Sequence, residues 1–87
     1  MFEPKYSNQA AKFIKKIDSI SRKRILNQIE SLMENPVVHD TKRVEGTKEK
    51  LFRVRVGDFR ILYEVDYSSK IMGIIRIDKR ERVYEEV

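Results

Sequence analysis

The stretch that most constrains the fold of this sequence covers residues 51–66. Apolar and charged residues alternate along it on both sides of the dipeptide Gly57-Asp58, and a period of two is typical of a half-buried β-strand. A glycine in a two-residue turn supplies the positive φ angle that a type I′ or II′ hairpin requires. The stretch therefore predicts two antiparallel strands, Leu51–Val56 and Phe59–Asp66, joined by a tight turn.

The two-residue turn also fixes which residues of the two strands lie opposite each other. Counting outward from it pairs Arg55 with Arg60, and the alternation of side chains places Arg53 on the same face of the sheet. The opposite face is apolar and aromatic and is predicted to pack on a core; it consists of Phe52, Val54, Val56, Phe59, Ile61 and Tyr63. Three arginines are thus predicted to share one face.

Arginines that face each other across two strands need a physical explanation, because like charges in that position destabilise a sheet by a few tenths to about 1 kcal/mol. A phosphate group between Arg55 and Arg60 would supply one, since each guanidinium can donate two parallel hydrogen bonds to it. The alternative is a solvated face that Glu64 and Asp66 neutralise. We favour the phosphate interpretation and keep both open here.

The remaining periodicity predicts a small α+β fold. Apolar residues three and four positions apart indicate a helix over residues 8–17 capped by Ser7, and a second helix that starts at Ser19 or Ser21 and stops at residues 35–36. Further strands are predicted at residues 2–6, 42–45 and 70–77. The predicted architecture is a helical hairpin packed on a small antiparallel sheet of three to five strands.

Composition limits the chain to one domain without disulfides. Its 87 residues fit a single domain, since domains usually have roughly 50 to 200 residues. The absence of cysteine excludes thiol nucleophiles and cysteine-ligated zinc. No apolar run approaches the length of about 20 residues that a membrane span needs, and the N-terminal residues lack the order of a signal peptide. We expect a cytoplasmic protein with no membrane partner.

Basic residues outside the hairpin form two groups in a chain whose net charge of +5 fits a polyanionic partner. Lys79, Arg80 and Arg82 precede Tyr84, a combination that can hold phosphates and stack an unpaired base; taken alone, a solvated tail is the favoured interpretation. The second group is interpreted mainly as a solvated helical surface, with phosphate anchoring as the minor alternative; it consists of Lys12, Lys15, Lys16, Arg22, Lys23 and Arg24.

The sequence gives no indication of a metal or a cofactor. Its carboxylates are scattered singly, and no group of His, Asp or Glu has the spacing of a ligand set. The three glycines are isolated, so a glycine-rich phosphate loop is excluded. The only histidine, His39, lies in a predicted loop and is interpreted as a surface residue.

Taken together, these motifs resemble the RelE/ParE toxin superfamily, and more closely its RelE-like branch, over nearly the full length of the chain. The resemblance rests on the helical hairpin followed by Val44-Glu45-Gly46, on the strand pair of residues 51–65, and on Arg80 with Tyr84 four residues later. It implies one RelE-like domain over residues 1–87. It further implies a type II toxin that cleaves mRNA in the ribosomal A site without a metal and is held inactive by a cognate RelB-like antitoxin.

The resemblance also implies a role for each basic residue of the predicted site. Arg53 and Arg55 stand at the family's pair of basic strand residues, which we expect to act in catalysis and in RNA binding. Arg60 stands at its phosphate-contacting arginine, Arg80 at its transition-state arginine, and Tyr84 at its base-stacking tyrosine. Further RNA contacts are expected from Arg82, Lys12, Lys15 and Lys16.

The implied reaction is attack of a ribose 2′-hydroxyl on the adjacent phosphate, which leaves a 2′,3′-cyclic phosphate and a 5′-hydroxyl end. Cations can stabilise the added charge on phosphorus, but arginine is a poor general base because its pKa exceeds about 12. Lys79 stands where related toxins often have histidine and is the candidate for proton transfer. Placement of the RNA by the ribosome is the alternative source of rate.

Two other functions on the same fold stay open. A ParE-like gyrase inhibitor would be a binding protein without catalytic residues, and that branch usually lacks the set of arginines with the C-terminal tyrosine. A non-catalytic nucleic-acid-binding module would use the arginines only to hold a phosphate backbone. Cleavage of messages on programmed ribosomes separates these functions from an RNA-cleaving toxin.

Overall fold

The structure, a computed structural model, describes residues 1–36, 42–43 and 51–79. Its elements are β1 (Glu3–Tyr6), α1 (Asn8–Lys16), α2 (Ser19–Glu34), β2 (Lys42–Arg43), β3 (Leu51–Val56), β4 (Phe59–Asp66) and β5 (Ile71–Lys79). The predicted two helices followed by a strand meander are confirmed. Several residues singled out in the sequence lie outside the described residues: His39, Val44-Glu45-Gly46, Arg80, Arg82 and Tyr84.

The sheet has five strands in the order β1-β5-β4-β3-β2, and both helices pack on one of its faces. All neighbouring strands are antiparallel except β1, which runs parallel to β5, so the sheet is mixed rather than purely antiparallel. The parallel edge has a physical reason, because β1 leads directly into α1, which packs on β5. Ser7 between them donates a hydrogen bond from its Oγ to the carbonyl of Ile75 at 2.6 Å, and Gln9 donates to that of Ile77 at 2.8 Å.

The predicted hairpin forms with the predicted register. Gly57 has a φ of 58° and sits in the turn, and the pairs counted outward from it include Arg55 with Arg60. The next strand pair contains an irregularity. Between β4 and β5 the register shifts, so that Tyr63 pairs with Ile74 but Leu62 pairs with Arg76. The resulting bulge at Ile75 reverses the alternation of side chains for the rest of β5.

The core lies between the helices and the sheet. Ile25, Ile29 and Leu32 of α2 are buried against β-strand residues such as Ile61 and Ile77. At the end of α2, the hydroxyl of the buried Tyr63 donates a hydrogen bond to the carbonyl of Pro36, which ties the predicted helix stop to the centre of the sheet. Neither helix is long and apolar enough to cross a membrane, in the part of the chain that the structure describes.

The N-terminal caps agree with the sequence for one helix only. Ser7 caps α1 as predicted, since its hydroxyl accepts a hydrogen bond from the backbone N–H of Ala10. The prediction of Ser19 or Ser21 for α2 is wrong. Asp18 is the cap, and its carboxylate accepts from the backbone N–H of Ser21 at 2.9 Å. Aspartate caps a helix about as well as serine, and Asp18 is the residue that directly precedes the first helical residue, Ser19.

Candidate nucleic-acid interface

Six residues of the three central strands form a patch on the sheet face that the helices leave open. Residues paired directly across two strands share a face, so the register places the patch in two rows. We call it the arginine face; one row is Arg53, Leu62 and Arg76, and the other is Arg55, Arg60 and Asp78. Five of the six line one shallow concavity of about 180 Å³, namely Arg53, Arg60, Leu62, Arg76 and Asp78.

The three arginines predicted to share a face do so. Arg53 and Arg55 are exposed and Arg60 is half-buried. None of them forms an ion pair with another residue among those described. Arg55 and Arg60 are therefore direct cross-strand neighbours of like charge, and each has a guanidinium group that is available to a ligand as far as the described chain goes.

Glu64 and Asp66, predicted as possible neutralising residues, do not neutralise these arginines. Asp66 instead accepts hydrogen bonds from the backbone N–H groups of Ser68 and Ser69 at 3.0 and 3.2 Å. Hydrogen bonds from Ser69 and Ser68 lower the pKa of Asp66. The Glu64 side chain lies against Gly73, close enough that a Cβ there would sit 3.1 Å from its Oε1. Both carboxylates lie further along the same face of β4, but neither forms an ion pair with an arginine among the described residues, so the solvated-face alternative has no direct contact to support it.

The carboxylate that does lie on the arginine face is that of Asp78, which the sequence reasoning missed together with Arg76. Strict alternation along β5 would have turned both towards the core, on the side of the buried Met72 and Ile74. The bulge reverses the alternation, so Ile77 is buried and its charged neighbours face outward. The signal in the sequence was the pair of charges itself, because a strand that buried both without partners would be costly.

Lys79 is not brought to the arginine face. It pairs with the buried Phe59 and lines a cleft on the helix side of the sheet with Lys16 and Asp18. The sheet therefore lies between Lys79 and the arginines. This geometry gives no support to Lys79 as the group that takes a proton at the arginine face.

The basic residues of the helices divide into two kinds. Lys12, Lys15 and Lys16 are exposed on α1, which packs on the face opposite the arginines. Their predicted RNA contacts would thus be made from the other side of the molecule.

Arg22 has a structural contact instead. Its guanidinium donates hydrogen bonds to the carbonyls of Ile14, Lys15 and Ile17 at 2.8, 3.2 and 3.0 Å. These are carbonyl groups at the C-terminal end of α1, where a cation is stabilising. Arg22 therefore fastens α2 to the end of α1 and does not belong to a ligand-binding surface.

Within the described ranges, no three His, Cys, Asp or Glu side chains gather as metal ligands.

The composition of the arginine face indicates which kind of ligand it can bind. Four guanidinium groups and one carboxylate on an open, shallow surface suit an extended polyanion better than a small enclosed ligand.

Comparison with known proteins gives a consistent relationship. A family model described as the ParE toxin of the type II toxin–antitoxin system parDE matches residues 5–84. RelE1, a toxin candidate of Methanocaldococcus jannaschii, is 32% identical over 87 residues, which are 97% of this chain and 96% of the relative.

Solved structures agree with this relationship. The RelE chain in the archaeal RelE–RelB complex from Pyrococcus horikoshii has a TM-score of 0.82 and 28% identity, over 93% of this chain and 97% of that one. The isolated RelE toxin of E. coli has the same fold, with a TM-score of 0.81 and 20% identity over 99% and 94% of the two chains. The chain described above therefore belongs to the RelE/ParE superfamily of type II toxin–antitoxin systems.

Proposed function

We propose that this protein is the toxin of a type II toxin–antitoxin system and that it cleaves mRNA in the ribosomal A site without a metal. One observation carries the proposal: Arg55 and Arg60 face each other on an open sheet surface, with Arg53 beside them and no ion pair to any described residue. Such a pair is unfavourable in the free protein. A phosphate group between the two guanidinium groups turns the repulsion into a bidentate site.

The chemistry that fits this surface is phosphate transesterification. Attack of the 2′-hydroxyl forms the new O–P bond while the bond from phosphorus to the 5′-oxygen breaks, and negative charge accumulates on the phosphate oxygens in between. Fixed cations stabilise that charge more than they stabilise the ground state. Arg60 is suited to this task because it is half-buried and so more rigidly held than Arg53 or Arg55.

Three further roles come from the resemblance to the family and stay proposals. Arg80 would supply a second cation to the transition state, Tyr84 would stack on a base, and Arg82 would bind the RNA backbone. The group that takes the proton of the 2′-hydroxyl is not assigned among the described residues, and positioning of the message by the ribosome would supply much of the rate. We propose that the protein acts in the cytoplasm and that its reaction needs no cofactor.

The proposed partners are a RelB-like antitoxin, the ribosome and mRNA. The antitoxin is supported by the RelE–RelB complex from Pyrococcus horikoshii, in which the relative is bound to its RelB. An antitoxin that inhibits this chain would have to cover or neutralise the arginine face, and acidic side chains are the complementary chemistry for that purpose.

The proposal is tested by adding the protein to ribosomes programmed with a defined message and mapping the ends of the RNA. The wild type should cut within the A-site codon and leave a 2′,3′-cyclic phosphate. Removing one preorganised cation typically slows a reaction by about 100-fold or more, and we expect that loss for Arg60→Ala. Lys70→Gln, which removes a charge in the turn before β5, should cut at the wild-type rate. An intact message with the wild-type protein refutes the proposal.

A gyrase inhibitor is the second candidate, and the match of the ParE family model favours it. In that case the message stays intact and the supercoiling activity of purified gyrase is inhibited by the protein. Inhibition of gyrase without RNA cleavage would replace the proposed function by this one. A protein that does neither, yet binds RNA, would be the non-catalytic module.

A further inference from the structure

The arginine face contains a fourth arginine whose contacts differ from those of the other three. Arg76 forms an ion pair with Asp78, in which its Nε lies 2.5 Å from Oδ2. The side chain of Arg76 is 57% exposed, whereas that of Asp78 is only 16% exposed. The carboxylate is therefore the embedded member of the pair, and the guanidinium group lies above it towards solvent.

The atoms that form this ion pair leave the binding edge of the guanidinium group open. Asp78 accepts from Nε, and neither terminal nitrogen of Arg76 makes a hydrogen bond within the described chain. An arginine binds a phosphate most strongly with two parallel N–H groups. Holding Arg76 by Nε thus fixes the direction of the group while a terminal pair of N–H groups remains available.

Asp78 also leaves Arg60 unpaired. The two residues are direct partners in the register of β4 and β5, but the ion pair of Asp78 is with Arg76. One carboxylate thereby reduces the repulsion among four arginines without occupying the guanidinium group that faces Arg55.

Arg76 and Arg55 lie at diagonally opposite corners of the patch. Arg76 is two strands and one row away from Arg55, which corresponds to about 12 Å between Cα atoms at the usual strand and residue spacings. Leu62 separates Arg76 from Arg53 in its own row. Arg60 lies between these two corners and lines the same concavity as Arg76. The patch therefore offers one anion position between Arg55 and Arg60 and a second one at the open edge of the Arg76 guanidinium.

We propose that Arg76 binds a second backbone phosphate of the RNA strand whose first phosphate lies between Arg55 and Arg60, and that Asp78 is a positioning residue that orients the Arg76 guanidinium for this contact. The inference rests on the proposed function for the identity of the ligand. It assigns to the protein a binding site of two phosphates rather than one, which defines the line along which an RNA strand crosses the sheet.

The test measures binding of a short single-stranded RNA to the whole protein over a range of salt concentrations. Each phosphate contact to a single strand contributes about 0.7 to the slope of log K against log salt. Arg76→Gln should therefore lower the slope by about 0.7 and weaken binding at low salt. Lys70→Gln removes the same charge from the turn before β5, away from the patch, and should leave the slope unchanged. An Arg76→Gln slope equal to that of the wild type overturns the site.

The positioning role makes a prediction opposite to that of simple electrostatics. Asp78→Asn adds one unit of positive charge, which by itself would tighten RNA binding. If Asp78 orients Arg76, Asp78→Asn should instead weaken binding and lower the slope. In an Arg76→Gln background, where no guanidinium is left to orient, the same change should no longer weaken binding. Tighter binding by Asp78→Asn with the wild-type slope overturns the positioning role.

A second variant guards against a loss of folding. Arg76→Lys keeps the charge but lacks Nε and the planar fork, so it should keep the slope and bind more weakly than the wild type. A lysine variant that binds as tightly as the wild type would contradict a bidentate contact.

The cleavage assay on ribosomes separates this inference from the proposed function. Cleavage by the wild type with a normal slope for Arg76→Gln leaves the function standing and removes the second phosphate site. A lowered slope for Arg76→Gln without any cleavage by the wild type keeps the site and removes the proposed reaction.

Discussion

Replacing Arg22 by alanine should destabilise the fold although the residue belongs to a basic cluster on the helices. Its guanidinium makes three hydrogen bonds to the last carbonyls of α1. The bonds to Ile14 and Ile17 are partly buried, and each is worth about 1 kcal/mol net. The third, to Lys15, is exposed and adds little. We therefore expect Arg22→Ala to lower the free energy of unfolding by about 2 kcal/mol.

Urea unfolding followed by circular dichroism measures this loss directly. In a chain of this size a loss of about 2 kcal/mol corresponds to a fall in Tm of about 8 to 16 °C. Lys23→Ala is the matched control, since it removes the next cation along α2, which is exposed; surface substitutions of this kind usually stay within about 0.5 kcal/mol. If Arg22→Ala and Lys23→Ala unfold at the same urea concentration, the hydrogen bonds of Arg22 contribute nothing and the reasoning is refuted.

Three further predictions concern glycine, a helix cap and the lysines of α1. Gly57→Ala should cost about 1 kcal/mol in urea unfolding because of the positive φ. Gly73→Ala should stay within about 0.5 kcal/mol, since a Cβ there would meet only the exposed Glu64 side chain, with Cγ and Oε1 at 3.1 Å, and that side chain can shift; equal losses would contradict the conformational argument. Hydrogen bonds from Ser21 lower the pKa of Asp18, so its stabilising effect is present above the ordinary aspartate pKa of about 3.9 and is lost as the pH falls through the lowered value. Asp18→Asn should therefore flatten the acid limb of a plot of Tm against pH, and an unchanged limb would exclude this cap as its cause. The triple change of Lys12, Lys15 and Lys16 to glutamine should slow association with ribosomes in a salt-dependent way but leave the single-turnover cleavage rate intact; a slower cleavage step would place these lysines at the reacting phosphate.

Turn geometry and side-chain alternation were sufficient to predict the hairpin and the face on which the three arginines lie. A two-residue turn with glycine at its first position leaves one register, and the period of two then decides the face of every side chain on β3 and β4. Arg55 opposite Arg60 follows without any knowledge of the tertiary structure. The same holds for Ser7 as the cap of α1, because a capping hydroxyl acts only three residues away.

Long-range contacts decided the features that the sequence did not reveal. The direction of β1 depends on how α1 packs on β5, and its four residues contain no hairpin turn that would fix it. The bulge in β5 depends on a competition, because burying Ile74 and Ile77 together requires one residue to leave the alternation. The two-residue period of the sequence does not reveal that Ile75 is the bulged residue, so it does not place Arg76 and Asp78 on the outer face.

The bulge also explains why charge counts describe this protein poorly. Residues 51–79 contain six basic and four acidic residues, a net charge of +2. Register and bulge bring four arginines and one aspartate together in the arginine face, while Glu64 and Asp66 lie further along β4 and Lys79 is turned to the helix side. A field strong enough to hold a polyanion depends on charges being adjacent rather than numerous, since salt screens surface charges beyond about 8 Å. Without the bulge, Arg76 and Asp78 would point into the core and the surface would lose its fourth cation, so the backbone irregularity sets the extent of the phosphate-binding surface.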